Sequence, residues 1–165
     1  MIAIDTNLLV YAHRSEAPFH AQAFGCVKAL AEGGRRWGIP VACLHEFLAV
    51  VTHPKVFRPA SRFDQALAQV DAWLAAPHVQ VLHSGPEHWR ILGDLARLAR
   101  LQGGQFHDAR IAAICIENAV DVLWTADRYC SVSFCLELKP LLARMTFCRM
   151  SRALLVQMNG LGSVL

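Results

Sequence analysis

Four acidic side chains of this 165-residue sequence lie beside apolar segments, at positions that exposure to solvent does not explain. Two of them follow short apolar runs. Asp5 follows residues 1–4, and Asp127 follows residues 122–126. Both runs are too short for a helix and predict buried strands. Ligands of open α/β sheets bind outside the carboxyl ends of the strands, so both acids occupy a favourable position. Asp5 also suits the N-cap of a following helix, and Asp127 suits a turn.

The other two acids, Glu46 and Asp108, lie on predicted helices among apolar residues. Asp108 falls in the first turn of a helix predicted over residues 106–118, on the face that carries its apolar stripe. The helix around Glu46 has almost no polar side, and residues 37–54 contain no Lys or Arg that could pair with it. An unpaired carboxylate in such surroundings is costly, and a bound cation is the natural compensation.

Together the four acids indicate a metal site. Carboxylates that converge without basic partners repel one another and raise each other's pKa values, unless a divalent cation neutralises them. Ligation by oxygen alone suits Mg²⁺ or Mn²⁺ rather than zinc. A metal ion held in this way can activate water and stabilise the charge that develops on a phosphodiester.

The elements that must position these acids alternate between short strands and helices. Strands are predicted at residues 1–4, 39–44, 79–82 and 122–124. A first helix is predicted to begin at Thr6, and another to follow the strand at 39–44 and end at about residue 52. Four more helices are predicted over residues 17–32, 63–75, 86–101 and 106–118. Strands separated by helices imply crossover connections and a parallel sheet that is covered on both faces.

Four segments, in this order and spacing, resemble the PIN domain. They are Ile4-Asp5-Thr6-Asn7-Leu8-Leu9, Leu44-His45-Glu46-Phe47, His107-Asp108-Ala109-Arg110-Ile111-Ala112-Ala113 and Leu123-Trp124-Thr125-Ala126-Asp127-Arg128. The closest resemblance is to the VapC-type ribonuclease toxins of bacterial toxin–antitoxin pairs, and it extends from residue 1 to about residue 142. It implies a three-layer α/β/α sandwich around a central parallel sheet. It also implies an endoribonuclease that depends on Mg²⁺ or Mn²⁺, forms homodimers and is neutralised by a cognate antitoxin.

The resemblance also assigns the site residues. It makes Asp5, Glu46, Asp108 and Asp127 the catalytic, metal-binding acids, with supporting roles for Asn7 and Thr125. Many relatives have a further acid two residues after the fourth one, where this chain has Tyr129. The number of bound metal ions, one or two, therefore stays open.

Two other functions compete with the nuclease. A PIN-like protein that has lost catalysis would bind RNA or a protein partner, although all four acids are present here. A phosphatase of the haloacid dehalogenase type also begins with a strand followed by Asp. It usually has a second Asp two residues later, where this chain has Asn7, and a lysine late in the fold, for which only Lys139 is available.

Composition and charge describe the rest of the chain. With 55% hydrophobic and 18% charged residues, it predicts a folded protein of the cytoplasm, with no signal peptide or membrane-spanning run. Residues 1–142 are predicted to form the nuclease domain, and residues 143–165 a basic extension of unknown role. That extension has no acid and accounts for the net charge of +3. The six cysteines contain no C-x-x-C pair and are interpreted as reduced, small hydrophobic residues.

Overall fold

A computed structural model describes residues 1–126 and the backbone of residues 146–149. In this part of the chain the strands are β1 (Ile2–Ile4), β2 (Trp37–Pro40), β3 (Val79–Leu82), β4 (Val122–Thr125) and β5 (Thr146–Arg149). The helices are α1 (Thr6–His13), α2 (His20–Glu32), α3 (Val41–Val51), α4 (Phe63–Leu74), α5 (His88–Ala99) and α6 (Gln105–Glu117). None of the helices within residues 1–126 combines the length and the apolar content needed to cross a bilayer.

The described strands form one parallel sheet in the order β3-β2-β1-β4-β5. Strand β1 lies in the middle of this sheet, with Ile2 opposite Trp37 on one side and Val122 on the other. Parallel neighbours need crossover connections, and the helices that supply them flank the sheet. The predicted α/β/α sandwich with a central parallel sheet is confirmed.

Strand β2 is shorter than predicted. The sequence predicts a strand over residues 39–44, but the strand begins earlier, at Trp37, and ends at Pro40, and α3 begins at Val41. The four residues from Val41 onward are all apolar. A short apolar run fits a buried strand and a buried helix equally well, so periodicity did not separate the two.

Strand β5 lies inside the segment that the sequence assigned to the C-terminal extension. Residues 146–149 pair in parallel with β4, and Val122 is opposite Thr146. The last strand expected from the sequence, residues 136–139, lies outside the described residues. The division into residues 1–142 and 143–165 stays a prediction.

Phe47 fixes how α3 sits against its neighbours. Its fully buried ring packs edge-on against Trp73 of α4, with the ring centroids 4.8 Å apart, and against His13 of α1 at 5.3 Å. Aromatic pairs in this geometry stabilise a core beyond the area they bury. Glu46 precedes Phe47 and points about 100° away around the helix axis, so this packing sets the direction of the carboxylate.

The loop between α3 and α4, residues 52–62, is held by a buried arginine at the end of α1. Arg14 is 9% exposed and pairs with Glu16. Its guanidinium also donates to Ser61 Oγ and to the carbonyl oxygen of Pro59, both at 2.8 Å, and lies 4.4 Å from the ring centroid of Phe57. This residue therefore ties three points of the loop to α1.

We expect Arg14→Leu to destabilise the protein by about 2 kcal/mol, because Ser61 Oγ and the carbonyl oxygen of Pro59 lose the donor that the buried guanidinium supplies. Urea unfolding would measure the loss, and trypsin cleavage after Lys55 would report loosening of the loop. Arg97→Leu is the matched control, since Arg97 is 79% exposed and its pair with Asp94 contributes little. Equal midpoints for the two variants would contradict this account.

Candidate metal centre

Asp5 stands at the junction between β1 and α1. Its backbone N–H donates to the carbonyl oxygen of Trp124 at 2.9 Å, which continues the pairing of β1 with β4. Its carboxylate Oδ1 accepts from the backbone N–H of Thr6 at 2.7 Å, so Asp5 is also the N-cap of α1. The two interpretations from the sequence, a site residue and an N-cap, therefore describe one and the same position.

Thr125 binds the other oxygen of this carboxylate. Its Oγ1 donates to Asp5 Oδ2 at 2.7 Å, and its side chain is 0% exposed at the end of β4. Because β4 is the direct neighbour of β1, parallel pairing brings Thr125 beside Asp5 although the two are 120 positions apart. Thr125 thus binds Asp5 directly, and its supporting role in a metal site stays a prediction.

Glu46 reaches the same junction from α3. Its half-buried side chain accepts a hydrogen bond at Oε2 from Thr6 Oγ1, at 2.8 Å. Thr6 thereby connects the two acids, donating its backbone N–H to Asp5 and its hydroxyl to Glu46. From the sequence, Thr6 was predicted only to start helix α1. Its position directly after Asp5 was the available signal for this second role.

The remaining predicted residues are placed as follows. Asp108 is half-buried in the first turn of α6, close enough to Asp5 for its charge to raise the pKa of Asp5. Asn7 is half-buried in the first turn of α1, and its side chain makes no hydrogen bond within the described residues. Asp127 lies outside the described residues, and its role stays a prediction.

The electrostatics of the site centre on Asp5, which is 7% exposed. Burial is the main cause that raises its pKa from 3.8 to about 6, and repulsion from Asp108 and Glu46 adds to the increase. The hydrogen bonds from Thr125 and Thr6 oppose the shift. No Lys, Arg or His within residues 1–126 forms an ion pair with Asp5 or Glu46. The protein thus holds a buried negative charge without a positive partner among these residues.

Two buried thiols border the same carboxylate. Cys43 Sγ donates to Asp5 Oδ1 at 3.8 Å, a contact typical of a weak S–H donor. Burial raises the pKa of Cys43 and of Cys115, and the charge of Asp5 raises both further. Both thiols are free of disulfides, and their raised pKa keeps them neutral at physiological pH, which agrees with the interpretation of the cysteines as reduced hydrophobic residues.

The donor set suits a hard divalent cation, since Asp5, Glu46 and Asp108 offer carboxylate oxygens and the nearby thiols stay protonated. Among the described residues, however, no three His, Cys, Asp or Glu side chains lie close enough together to hold a metal ion. The acids within residues 1–126 therefore do not form a complete ligand set, and metal binding by the four predicted acids stays a prediction.

Comparisons with known proteins agree with this architecture. The family model described as the PIN domain matches residues 2–131. Ribonuclease VapC43 of Mycobacterium tuberculosis is 38% identical over 128 residues, which cover 78% of this chain and 86% of that protein.

Two solved structures share the fold at 17% sequence identity. One is Mycobacterium tuberculosis VapC20, described as a toxin that cleaves the sarcin–ricin loop. It has a TM-score of 0.60, and the match covers 79% of this chain and 93% of that one. The other is VapBC2 of Rickettsia felis bound to a DNA fragment from its promoter, with a TM-score of 0.61 and coverage of 92% and 100%.

We expect Asp5→Asn to raise the melting temperature of the metal-free protein at pH 7. The raised pKa means that the folded protein loses stability as the pH rises from 3.8 to about 6, and the full cost is present at neutral pH. That cost is about 3 kcal/mol for a shift of this size, and Asn remains a good N-cap.

Thermal unfolding in EDTA would test this, with Asp64→Asn as the control, because Asp64 is an exposed acid in the first turn of α4. A melting temperature of Asp5→Asn at or below that of the wild type would show that the buried charge is offset inside the protein.

Proposed function

The chain belongs to the PIN-domain family, and from this membership we propose that it is a VapC-type endoribonuclease, the toxin of a toxin–antitoxin pair. It hydrolyses the phosphodiester bonds of RNA. The relative VapC43 is named as a ribonuclease, and the alignment covers 86% of its length, so nearly the whole catalytic unit is shared.

One observation in this chain carries the proposal. The carboxylate of Asp5 is buried at the carboxyl end of the central strand, bound by Thr125 and Thr6, with the charges of Glu46 and Asp108 acting on it. A protein that used Asp5 only as an N-cap would gain nothing from two further acids beside it. Such an arrangement is costly to the fold and is typical of a functional site.

A divalent metal ion, Mg²⁺ or Mn²⁺, is the second part of the proposal. Asp5, Glu46, Asp108 and Asp127 would hold it, since all four offer carboxylate oxygens. When bound, the metal supplies an activated water and stabilises the negative charge that develops on the phosphodiester.

The chain's own hydroxyl groups hold the acids ready for this chemistry. Thr125 Oγ1 fixes one oxygen of Asp5, and the backbone N–H of Thr6 binds the other. The Thr6 hydroxyl orients Glu46 at the same time. Hydrogen bonds that orient metal ligands are as much a part of such a site as the ligands themselves. Asn7, in the first turn of α1, is proposed as a polar contact for the RNA.

The proposed partners are RNA, a cognate antitoxin and a second copy of the chain, with the cytoplasm as the place of action. The structure of VapBC2 of Rickettsia felis supports an antitoxin, because it joins a protein of this fold to one. On α5, Trp89 is 81% exposed. Exposed tryptophans are enriched where proteins bind one another, which supports a protein interface on that helix.

We expect the purified protein to cleave bulk bacterial RNA. Cleavage should stop when EDTA is added and should recover with excess Mg²⁺ or Mn²⁺. Asp5→Ala, Asp108→Ala and Asp127→Ala should each lower the rate by about 100-fold or more, since each removes a proposed metal ligand. Gel electrophoresis of the RNA would measure the rates.

Asp64→Ala is the matched control for Asp108→Ala, because each acid lies in the first turn of a helix. Cleavage that persists in EDTA would refute the proposal that the reaction requires a divalent metal ion. Hydrolysis of p-nitrophenyl phosphate without cleavage of RNA would instead favour the phosphatase alternative.

We further expect Thr6→Val to raise the Mg²⁺ concentration needed for half-maximal cleavage by about 10-fold, because Glu46 loses the hydroxyl that orients it. Thr6→Ser keeps that hydroxyl and should behave as the wild type. If Thr6→Val leaves the Mg²⁺ requirement unchanged, the Thr6 hydroxyl has no role in orienting Glu46 for metal binding. Titration of Mg²⁺ in the cleavage assay would distinguish these results.

A further inference from the structure

The loop between α3 and α4 carries an unbalanced positive charge. Residues 47–63 contain no Asp or Glu, and their three cations, Lys55, Arg58 and Arg62, are all exposed. None of the three forms an ion pair within the described part of the chain. By contrast, Lys28, Arg90 and Arg97 each pair with an acid on their own helix. These three side chains are therefore available to an external anion.

The same loop forms one wall of an open polar cleft of about 700 Å³. Arg58 lines this cleft together with Ser15 after α1 and with Gln65 and Gln69 on α4. The side chain of His13 also faces it, but burial and the neighbouring Arg14 lower the pKa of His13, so it adds no charge at neutral pH.

The acid in the cleft wall is already neutralised. Glu16 pairs with Arg14, and its pKa is lowered by a backbone hydrogen bond and by Arg14. Arg58 is thus the cation in the described wall that has no partner. The cleft offers one free guanidinium and several neutral hydrogen-bonding groups, which suits a phosphate with its sugar.

The loop is held in place before any ligand binds. Arg14 donates to Pro59 and Ser61, and the ring of His13 lies within hydrogen-bond distance of Ser61, with 2.9 Å between Nε2 and Oγ. A surface that is ordered in advance loses little conformational freedom on binding. The cations of this loop therefore form a prepared binding surface.

Helix α1 connects this surface to the acidic site. It begins next to Asp5 and ends at His13, whose side chain contacts the loop. Eight helical residues at a rise of 1.5 Å place the two ends about 12 Å apart. The loop is therefore about one helix length from the acidic site, and a short strand of nucleic acid with one phosphate at Asp5 can extend over that distance.

We propose that Lys55, Arg58 and Arg62 bind the RNA backbone on one side of the scissile bond. This inference rests on the proposed ribonuclease function and names the residues that position its substrate. RNA is favoured over an acidic protein segment by the neutral hydrogen-bonding groups of the cleft, which suit a sugar, and by an exposed aromatic side chain beside Arg62. Phe63, 60% exposed beside Arg62, adds an aromatic face on which a base can stack.

The test compares two triple variants that remove the same charge. Lys55→Gln/Arg58→Gln/Arg62→Gln neutralises the loop. Arg35→Gln/Arg36→Gln/Arg100→Gln is the matched control, because its three cations are also exposed and have no ion pair within the described residues. Thermal unfolding would verify that both variants fold.

Binding is measured by fluorescence anisotropy with a labelled single-stranded RNA of mixed sequence in EDTA, over a range of salt concentrations. The loop variant should bind at least about 10-fold more weakly, and its slope of log K against log salt should fall by about 2, as expected for three lost phosphate contacts. In cleavage of bulk RNA with Mg²⁺, its KM should rise while its kcat is kept. The control variant should change neither slope nor KM by a comparable amount.

Several results would overturn the inference. They are wild-type binding by the loop variant, an equal loss in both variants, or a loss of kcat with KM unchanged. Labelled poly-L-glutamate serves as a second probe. If the loop variant loses that ligand and retains RNA, the surface recognises an acidic protein instead. A wild-type protein that binds RNA through this loop without cleaving it would refute the proposed function alone.

Discussion

Asp5 places a carboxylate at the end of the central strand, where almost no water reaches it and no cation within residues 1–126 pairs with it. The rest of the site follows from this constraint. Thr125 and Thr6 bind its two oxygens, and the buried thiol of Cys43 contacts one of them. The fold thus restrains the geometry of a charge that it does not neutralise, and this lowers the stability of the protein while leaving the charge available for an external cation.

Helix α1 joins the two regions that concern RNA. Its first turn holds the acidic site, because Asp5 caps it and Thr6 binds Glu46. Its other end leads into Arg14, which fixes the positive loop after α3. A buried acid at the start and a buried base just beyond the end make this short helix a rigid link, so a displacement of α1 would affect the acids and the substrate-binding surface together.

Much of the fold was predictable because the chain marks its own element boundaries. Strand β3 was predicted at its observed residues, since Pro77 and Pro86 bracket a short apolar run. Helix α6 was predicted within one residue at each end. Strand β2 was predicted too long, because no polar residue separates it from α3. The bond between Thr6 and Glu46 was missed, since it joins residues 40 positions apart and leaves no periodic trace in the sequence.

The sequence by itself determined the order of the first four strands and the six helices, the four acids that solvation does not explain and the resemblance to the PIN domain, because local periodicity and short motifs are properties of neighbouring residues. Tertiary structure alone decided that Thr125 reaches Asp5, that Thr6 bridges to Glu46 and that Arg14 holds a distant loop. These contacts depend on which strands become neighbours in the sheet and on how helices pack over it. Contacts between residues so far apart in the sequence arise from the packing of the whole core, and no single segment of the chain encodes them.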